Sequence, residues 1–269
     1  MADSGVIVSL DSDAYIAAFS REKEALARAA AGKLDAPVPS CPGWSMATLV
    51  AHLGGTYASI AKTISVGTGE DIVQELEDLG LPEDIEQWFR EDSSLEHMPP
   101  TVLDWFCRTG ENLEEIFRDT DTSAPAWTWW EPDQSAGFWL RRMANETAVH
   151  RWDAESALGR PDPIEPVLAR DGIDEMVDIY IPRWCRPKSA LAGSGQSFRF
   201  VRTDGDGSWT VRFEGEGMST DDEPAADVIL RSPASDLLLF LWQRILPDRL
   251  DVEGDVALLG RYFEFVPPD

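Results

Sequence analysis

One predicted helix of this sequence places a carboxylate and an imidazole one turn apart on its inward face. The inward stripe is spaced in steps of three and four residues and consists of Trp139, Met143, Glu146, His150, Asp153 and Ala157. An ionised Glu on a buried seam is costly unless it is paired or bound to a metal. Because Glu146 and His150 lie four residues apart, their side chains can hold one common ion.

A second histidine comes from an earlier predicted helix. His52 lies about 100° around that helix from Leu53, so it can line the space between helices. Two imidazoles and one carboxylate, with positions left for water or substrate, are typical of catalytic zinc. The spacing also fits an ordinary surface Glu–His pair. Asp153 either holds the second ring nitrogen of His150 or pairs with a nearby Arg.

These residues need a helical scaffold, and the first ~160 residues predict one. Four amphipathic helices are expected, over 12–32, from the N-cap Ser45 onward, from Pro99 and Pro100 onward, and from Ser135 to about Leu158. They favour a four-helix bundle. The acidic segment 67–97 carries one short helical candidate at 82–91 and a loop residue, His97.

The second half alternates strands and helices. We expect a helix over 164–184, a hairpin around Asp204-Gly-Asp-Gly207, a strand over 227–232, a helix over 233–246, a strand over 250–253 and a last helix over 255–263. Clustered prolines at 161, 163 and 166 mark a boundary. The fold class is therefore α+β with two domains, a four-helix bundle over 1–162 and a small α+β domain over 163–269.

Composition restricts the partners. The chain of 269 residues has a formal net charge of -26, which repels phosphate backbones and anionic lipids, so nucleic acid and membranes are not expected partners. The absence of a signal-like start or a long apolar run favours a cytoplasmic protein. Three widely spaced cysteines without a C-x-x-C pair argue against a zinc ribbon, and Cys41 is favoured as a structural loop residue over a nucleophile.

Two segments carry a family resemblance. VPSCPGWSMATLVAHL (38–53) and NETAVHRWDAE (145–155) are similar to the hallmark segments of the mycothiol-dependent maleylpyruvate isomerase family, whose N-terminal part is a DinB-like helical bundle. DLLLFLWQR (236–244) and VEGDVALL (252–259) resemble the end of its C-terminal α+β domain. The family's metal ligands map to His52, Glu146 and His150.

The resemblance implies a divalent metal, with zinc as the candidate, and mycothiol as a thiol cosubstrate. The implied reaction is cis–trans isomerisation by conjugate addition of the thiol, bond rotation and elimination. It also implies that Arg244 acts as a catalytic residue that anchors an anionic small-molecule substrate. Arg142 and Arg151 are weaker candidates for that anchor, since surface salt bridges are favoured for both.

Two other functions stay open at this point. One is a mycothiol S-transferase that acts on other electrophiles, and the other is a non-catalytic metal-binding or regulatory module. Trp44, Trp127, Trp129, Trp130 and Trp139 fit either a pocket wall or bundle packing. The sequence does not indicate the oligomeric state.

Overall fold

The computed structural model describes residues 10–67, 80–91, 98–188, 191–221 and 223–267. The chain divides into two compact units, Met1–Asp162 and Pro163–Asp269. His97 and residues 68–79 and 92–96 of the acidic segment lie outside the described residues. In the ranges that are described, no helix combines the length and apolar character needed to cross a membrane.

The first unit is helical, as predicted. Its described helices are α1 (Ser12–Ala30), α2 (Met46–Val66), α3 (Glu83–Glu91), α4 (Thr101–Asp119) and α5 (Ala136–Ala157). The four long helices form the expected bundle, in which α1 packs on α5 and α4, and α2 packs on α4 and α5. The short α3 contacts α4. The predicted N-cap Ser45 is confirmed, because it accepts a hydrogen bond from the backbone N–H of Thr48. Ser135 caps α5 in the same way, through the N–H of Phe138.

Helix α2 buries the apolar side chains that recur at helical spacing between Met46 and Ile64. Its contact with α4 is close because Gly54 faces the ring of Trp105, which is buried. A Cβ atom at position 54 would lie 2.6 Å from that ring. Trp105 and its neighbour Phe106 are both buried on α4.

Helix α5 is buried on nearly all sides, whereas the sequence predicted one inward stripe. The reason is that it packs against both α1 and α2. Arg151 donates to Glu22 of α1 at 2.7 Å and to Glu155 at 2.8 Å. Arg142 pairs with Glu146. Arg142 and Arg151 form salt bridges as predicted, but the prediction that these lie at the surface is wrong, since both residues are buried.

The second unit contains a mixed sheet and short helices. In chain order its described elements are α6 (Pro166–Glu175), a π-helical turn (Met176–Tyr180), α7 (Ile181–Lys188), β1 (Gly193–Arg202), β2 (Ser208–Gly215), β3 (Gly217–Asp221), β4 (Val228–Ser232), α8 (Ala234–Leu241), a 3-10 turn (Pro247–Arg249), β5 (Asp251–Gly254), α9 (Val256–Leu259) and α10 (Tyr262–Phe265). The strand order is β3-β2-β1-β4-β5, with β1 and β4 parallel and the other pairs antiparallel. The core of the unit is aromatic and includes Phe198, Phe200, Phe213, Phe240, Tyr262 and Phe265.

The predicted hairpin and the strand over 227–232 are confirmed, but three predictions in this unit need correction. The helix over 164–184 is interrupted by the π-helical turn, and the last helix is split into α9 and α10. The helix that was expected to reach residue 246 ends at Leu241. Strand β3 was not predicted, because GMSTD lacks alternating apolar residues.

Candidate metal centre

The centre lies between α2 and α5, and a buried hydrogen bond fixes the register of these helices. Tyr57 Oη and Thr147 Oγ1 are 2.8 Å apart. Burial of the Tyr57 phenol raises its pKa, and the hydrogen bond to Thr147 opposes that shift only in part, so the phenol is neutral. His52 lies five residues before Tyr57 on α2, and Glu146 directly precedes Thr147 on α5. The hydrogen bond therefore sets the level at which the two helices bring their polar side chains together.

The structure brings together the three residues predicted as metal ligands. His52 Nε2 lies 3.3 Å from Glu146 Oε1, and His150 Nε2 lies 3.2 Å from the same oxygen. Donors about 2.1 Å from a tetrahedral ion are roughly 3.4 Å apart, so both measured separations fit a single zinc-sized ion. One donor atom from each of the three residues lies within 4.8 Å of the others.

Exposure changes steeply across the three side chains. The exposed fraction is 38% for the His52 side chain, 19% for Glu146 and 7% for His150. Solvent therefore reaches the centre from the side of His52. A catalytic metal site needs such an open side, whereas a structural site is closed by protein ligands.

Arg142 holds the second carboxylate oxygen of Glu146. Its guanidinium is buried and contacts Oε2, which leaves Oε1 to face the two imidazoles. Burial alone raises the pKa of Glu146, but the charge of Arg142, the charge of His150 and hydrogen bonds from both histidines hold it well below its usual range. Glu146 is therefore ionised at neutral pH, as a carboxylate must be to bind a metal ion. The i,i+4 spacing of Arg142 and Glu146 is a sequence signal for this pair.

Asp153 contacts the other ring nitrogen of His150. His150 Nδ1 lies 2.9 Å from Asp153 Oδ2, and the Asp153 residue is fully buried. The first of the two alternatives for Asp153 is thus present in the structure. Burial alone lowers the pKa of His150, but the charge of Glu146 and hydrogen bonds with Asp153 and Cys41 raise it well above its usual value.

The loop before α2 carries two further residues to the centre. Its turn is closed by hydrogen bonds of 2.9 Å from Val38 N to Trp44 O and from Trp44 N to Cys41 O. Gly43 has φ 85°, a conformation that favours glycine. The Trp44 ring stacks 6.0 Å from His150 and lies 5.0 Å from His52. Trp44 therefore forms a wall of the centre.

Cys41 is buried, and its thiol donates to Asp153 Oδ2 at 3.4 Å. Of the other tryptophans singled out in the sequence, Trp139 donates to the carbonyl of Trp127 and Trp129 packs against Phe138. Those contacts are internal packing of the first unit. The sequence indicated Cys41 only as a loop residue, because a separation of 112 positions from Asp153 hides their contact.

Arg244, predicted as a catalytic residue, belongs to the second unit. It follows α8 in a Schellman turn, in which Arg244 N donates to Leu239 O and Gln243 N donates to Phe240 O. Gln243 has φ 57°, so a non-glycine residue occupies the left-handed position. The Arg244 side chain is half-buried and donates to Trp242 O at 2.8 Å. Its role in catalysis stays a prediction.

Comparisons with known proteins identify the family and the fold of this chain. Residues 16–155 match the sequence model of the mycothiol maleylpyruvate isomerase N-terminal domain, and residues 167–261 match that of the corresponding C-terminal domain. Crystal structures of a mycothiol-dependent maleylpyruvate isomerase and of its H52A mutant, in that enzyme's numbering, superpose with TM-scores of 0.61 and 0.59. Each is 12% identical to this chain and covers 92% of it and 95% of its own length, which shows the two-domain fold. No curated protein matches the sequence.

Proposed function

Since this chain belongs to the mycothiol maleylpyruvate isomerase family, we propose that it is a metal-dependent enzyme that uses mycothiol as its thiol cosubstrate. The proposed metal ligands are His52, Glu146 and His150, and the proposed ion is zinc. The proposed reaction is the isomerisation of a cis double bond conjugated to a carbonyl group, as in maleylpyruvate. We also propose a cytoplasmic location, because a thiol cosubstrate stays reduced only in a reducing compartment.

The observation that supports this proposal most directly is the convergence of the two Nε2 atoms on Glu146 Oε1, at 3.2 and 3.3 Å. Two neutral imidazoles and one carboxylate leave part of the coordination sphere of a zinc ion for exogenous ligands. Arg142 keeps the carboxylate ionised and holds its second oxygen, so Glu146 offers Oε1 alone. His52, on the exposed side, leaves room for a small molecule to approach.

The chemistry needs a thiolate at neutral pH. A bound divalent ion at these residues would deprotonate a coordinated thiol and polarise a carbonyl oxygen. Addition of the thiolate to the double bond would form a C–S bond and an enolate, and rotation about the new single bond would follow. Elimination would then break the C–S bond, restore the double bond in the trans form and release the thiolate.

The protein's own residues would orient this reaction. Trp44 forms an apolar wall beside both histidines, which excludes water from one side of the centre. Arg244 is proposed to bind a carboxylate of the substrate, because a guanidinium matches the geometry of a carboxylate and this acidic chain needs a local cation for an anionic substrate.

The metal site is tested by analysis of zinc content. We expect about one zinc ion per wild-type chain and loss of that ion in His150→Ala and Glu146→Ala. The chain has three histidines, so His97→Ala is the matched control, and it is expected to keep the ion. Equal zinc content in wild type and His150→Ala would refute the proposed ligands.

The reaction is tested with zinc-loaded protein and mycothiol. Mycothiol-dependent conversion of maleylpyruvate to its trans isomer would support the isomerase. Formation of a stable thioether from a chlorinated arene, without isomerisation, would instead show a mycothiol S-transferase. A protein that retains zinc and has neither activity would be a binding module, and the proposed enzymatic function would be wrong.

A further inference from the structure

The imidazole of His150 has possible metal-binding side chains on both of its sides. On the Nε2 side it faces Glu146 Oε1, and on the Nδ1 side it faces Asp153 Oδ2 and the Cys41 thiol. Two groups of side chains around His150 could therefore hold a metal ion: His52, Glu146 and His150, or Cys41, His150 and Asp153. The second group includes a soft sulfur ligand, which zinc and other thiophilic ions bind readily.

We propose that Asp153 and Cys41 are positioning residues that keep the proton on His150 Nδ1, so that only Nε2 binds the ion and Cys41 is not a ligand. This inference rests on the proposed function, because it concerns the same metal centre. It assigns a role to the buried cysteine and aspartate that the ligand set itself does not include.

Burial distinguishes the two sides of the ring. Asp153 is fully buried and Cys41 is only 9% exposed, so an ion on the Nδ1 side would be shielded from cosubstrate and solvent. On the Nε2 side, His52 is exposed and Glu146 is partly exposed. A catalytic ion needs a position that an exogenous ligand can reach, and only the Nε2 side offers one.

The hydrogen bonds around His150 indicate which of its ring nitrogens keeps the proton. The Cys41 thiol donates to Asp153 Oδ2, and the same oxygen accepts from His150 Nδ1 at 2.9 Å. With Nδ1–H held by a buried carboxylate, Nε2 is the nitrogen that would give up its proton and offer its lone pair to an ion, on the side of Glu146 and His52. Carboxylates that hold the second nitrogen of a metal-bound histidine fix its orientation and raise its basicity as a ligand.

The positions of these residues in the sequence support the same assignment of Nε2 to the ion and Nδ1 to the proton. Glu146, His150 and Asp153 lie at steps of four and three on α5, so the histidine ring stands between the two carboxylates on one face of the helix. Cys41 reaches this face from the loop before α2, whose turn is held by the backbone hydrogen bonds of Val38 and Trp44. The loop thus places a thiol donor behind the histidine, away from its exposed side.

The test is a zinc competition titration of the full chain against a chromophoric chelator. Asp153→Ala is expected to weaken zinc binding by about 10–100-fold, the range found when such partners are removed. Asp153→Asn, whose amide oxygen still accepts from Nδ1, is expected to lose less. Cys41→Ala is expected to weaken binding by a smaller factor than Asp153→Ala, and Cys41→Ser to recover part of that loss. Cys107→Ala is the matched control, since Cys107 lies in the same unit and is expected to leave affinity unchanged.

Three further measurements separate positioning from a structural role. Urea unfolding of each variant without zinc measures the change in its free energy of unfolding. We expect the loss of zinc-binding free energy to exceed that change. In the cobalt-substituted protein, we expect no sulfur-to-cobalt charge-transfer band. Nitrogen-15 NMR of the zinc-loaded protein is expected to show the proton on His150 Nδ1 and the metal at Nε2.

Three results would overturn the inference. Wild-type affinity in both Asp153→Ala and Asp153→Asn would show that the carboxylate does not position the ring. A sulfur-to-cobalt band that disappears in Cys41→Ser would place the ion on the Nδ1 side. If wild-type protein binds no zinc at all, the proposed function fails together with this inference, and that outcome is distinct because it precedes any comparison of variants.

Discussion

A buried ion pair joins α1 to α4, and its removal should lower the stability of the first unit. Lys23 Nζ donates to Glu114 Oε2 at 2.8 Å, and both residues are buried. Arg118 pairs with the other oxygen of Glu114, but its side chain is 55% exposed, so its contribution is screened by solvent. The perturbation is Glu114→Gln, which removes the charge and keeps the shape.

The expected loss follows from what remains after the substitution. The Lys23 ammonium would stay buried beside the Phe19 ring, 5.6 Å from its centroid, without the carboxylate. Removal of one partner from a buried pair costs about 3–5 kcal/mol, and since the Gln amide oxygen can still accept a hydrogen bond, we expect about 3 kcal/mol. The double variant Lys23→Met/Glu114→Leu should recover most of this loss, because apolar side chains then fill the same space.

The effect should depend on pH with a defined sign. Burial alone raises the pKa of Glu114, but the hydrogen bond and charge of Lys23, with Ser20 and Arg118, hold it below its usual value. A carboxyl whose pKa is lower in the folded state stabilises the fold above its unfolded pKa of about 4.3. That contribution is lost as the pH falls through the folded pKa, so the difference between wild type and Glu114→Gln should narrow below about pH 4.

Urea denaturation followed by tryptophan fluorescence at pH 7 and at pH 3.5 measures both effects. Arg118→Met is the matched control, and it should change the free energy of unfolding by less than about 1 kcal/mol. A loss below about 1 kcal/mol in Glu114→Gln at pH 7 would refute the reasoning about burial. A difference that is equally large at both pH values would refute the assignment to the Glu114 carboxylate.

Three further predictions concern single side chains. Tyr57→Phe should lower the free energy of unfolding by about 1 kcal/mol, because the Thr147 hydroxyl loses its partner. Adding Thr147→Val should restore part of this loss, since no buried hydroxyl is then left unpaired. Urea titration that shows additive losses for the two substitutions would contradict this prediction. Gln243→Gly should stabilise the second unit by about 1 kcal/mol, because glycine adopts the left-handed conformation without strain; a lower melting temperature would contradict it. Burial raises the pKa of the Cys185 thiol to about 11, so iodoacetamide at pH 8 should label it only after unfolding, as peptide mass spectrometry would show.

The sequence predicted the bundle well where burial is one-sided. In α2 the apolar residues recur at helical spacing, so the pattern alone identified the buried face and the position of His52 beside it. The pattern was less informative for α5. Because that helix contacts two neighbours, its second buried face includes Arg142 and Arg151, whose charges resemble a solvent-exposed surface in the sequence.

The sequence predicted the three candidate metal-binding side chains, but not the contacts of the residues around them. Helix periodicity and the family resemblance brought His52, Glu146 and His150 together. The contact of Cys41 with Asp153 depends on the fold of a loop, and no local rule predicts a contact across that distance in sequence. The sequence also did not predict the Schellman turn before Arg244. Such turns are recognised by a glycine at the left-handed position, and here that position is occupied by Gln243.

The distance in sequence between His52 and Glu146 has a consequence for stability. The two residues are 94 positions apart, so an ion bound to both would be a reversible cross-link between α2 and α5. Such a cross-link stabilises the folded state by mass action, by about 2.7 kcal/mol when the free ion is at 100 times its dissociation constant. By the same linkage, a substitution anywhere in the bundle that loosens the packing of α2 on α5 would release the ion. The metal content of purified variants would then report on the integrity of the fold as well as on the ligands.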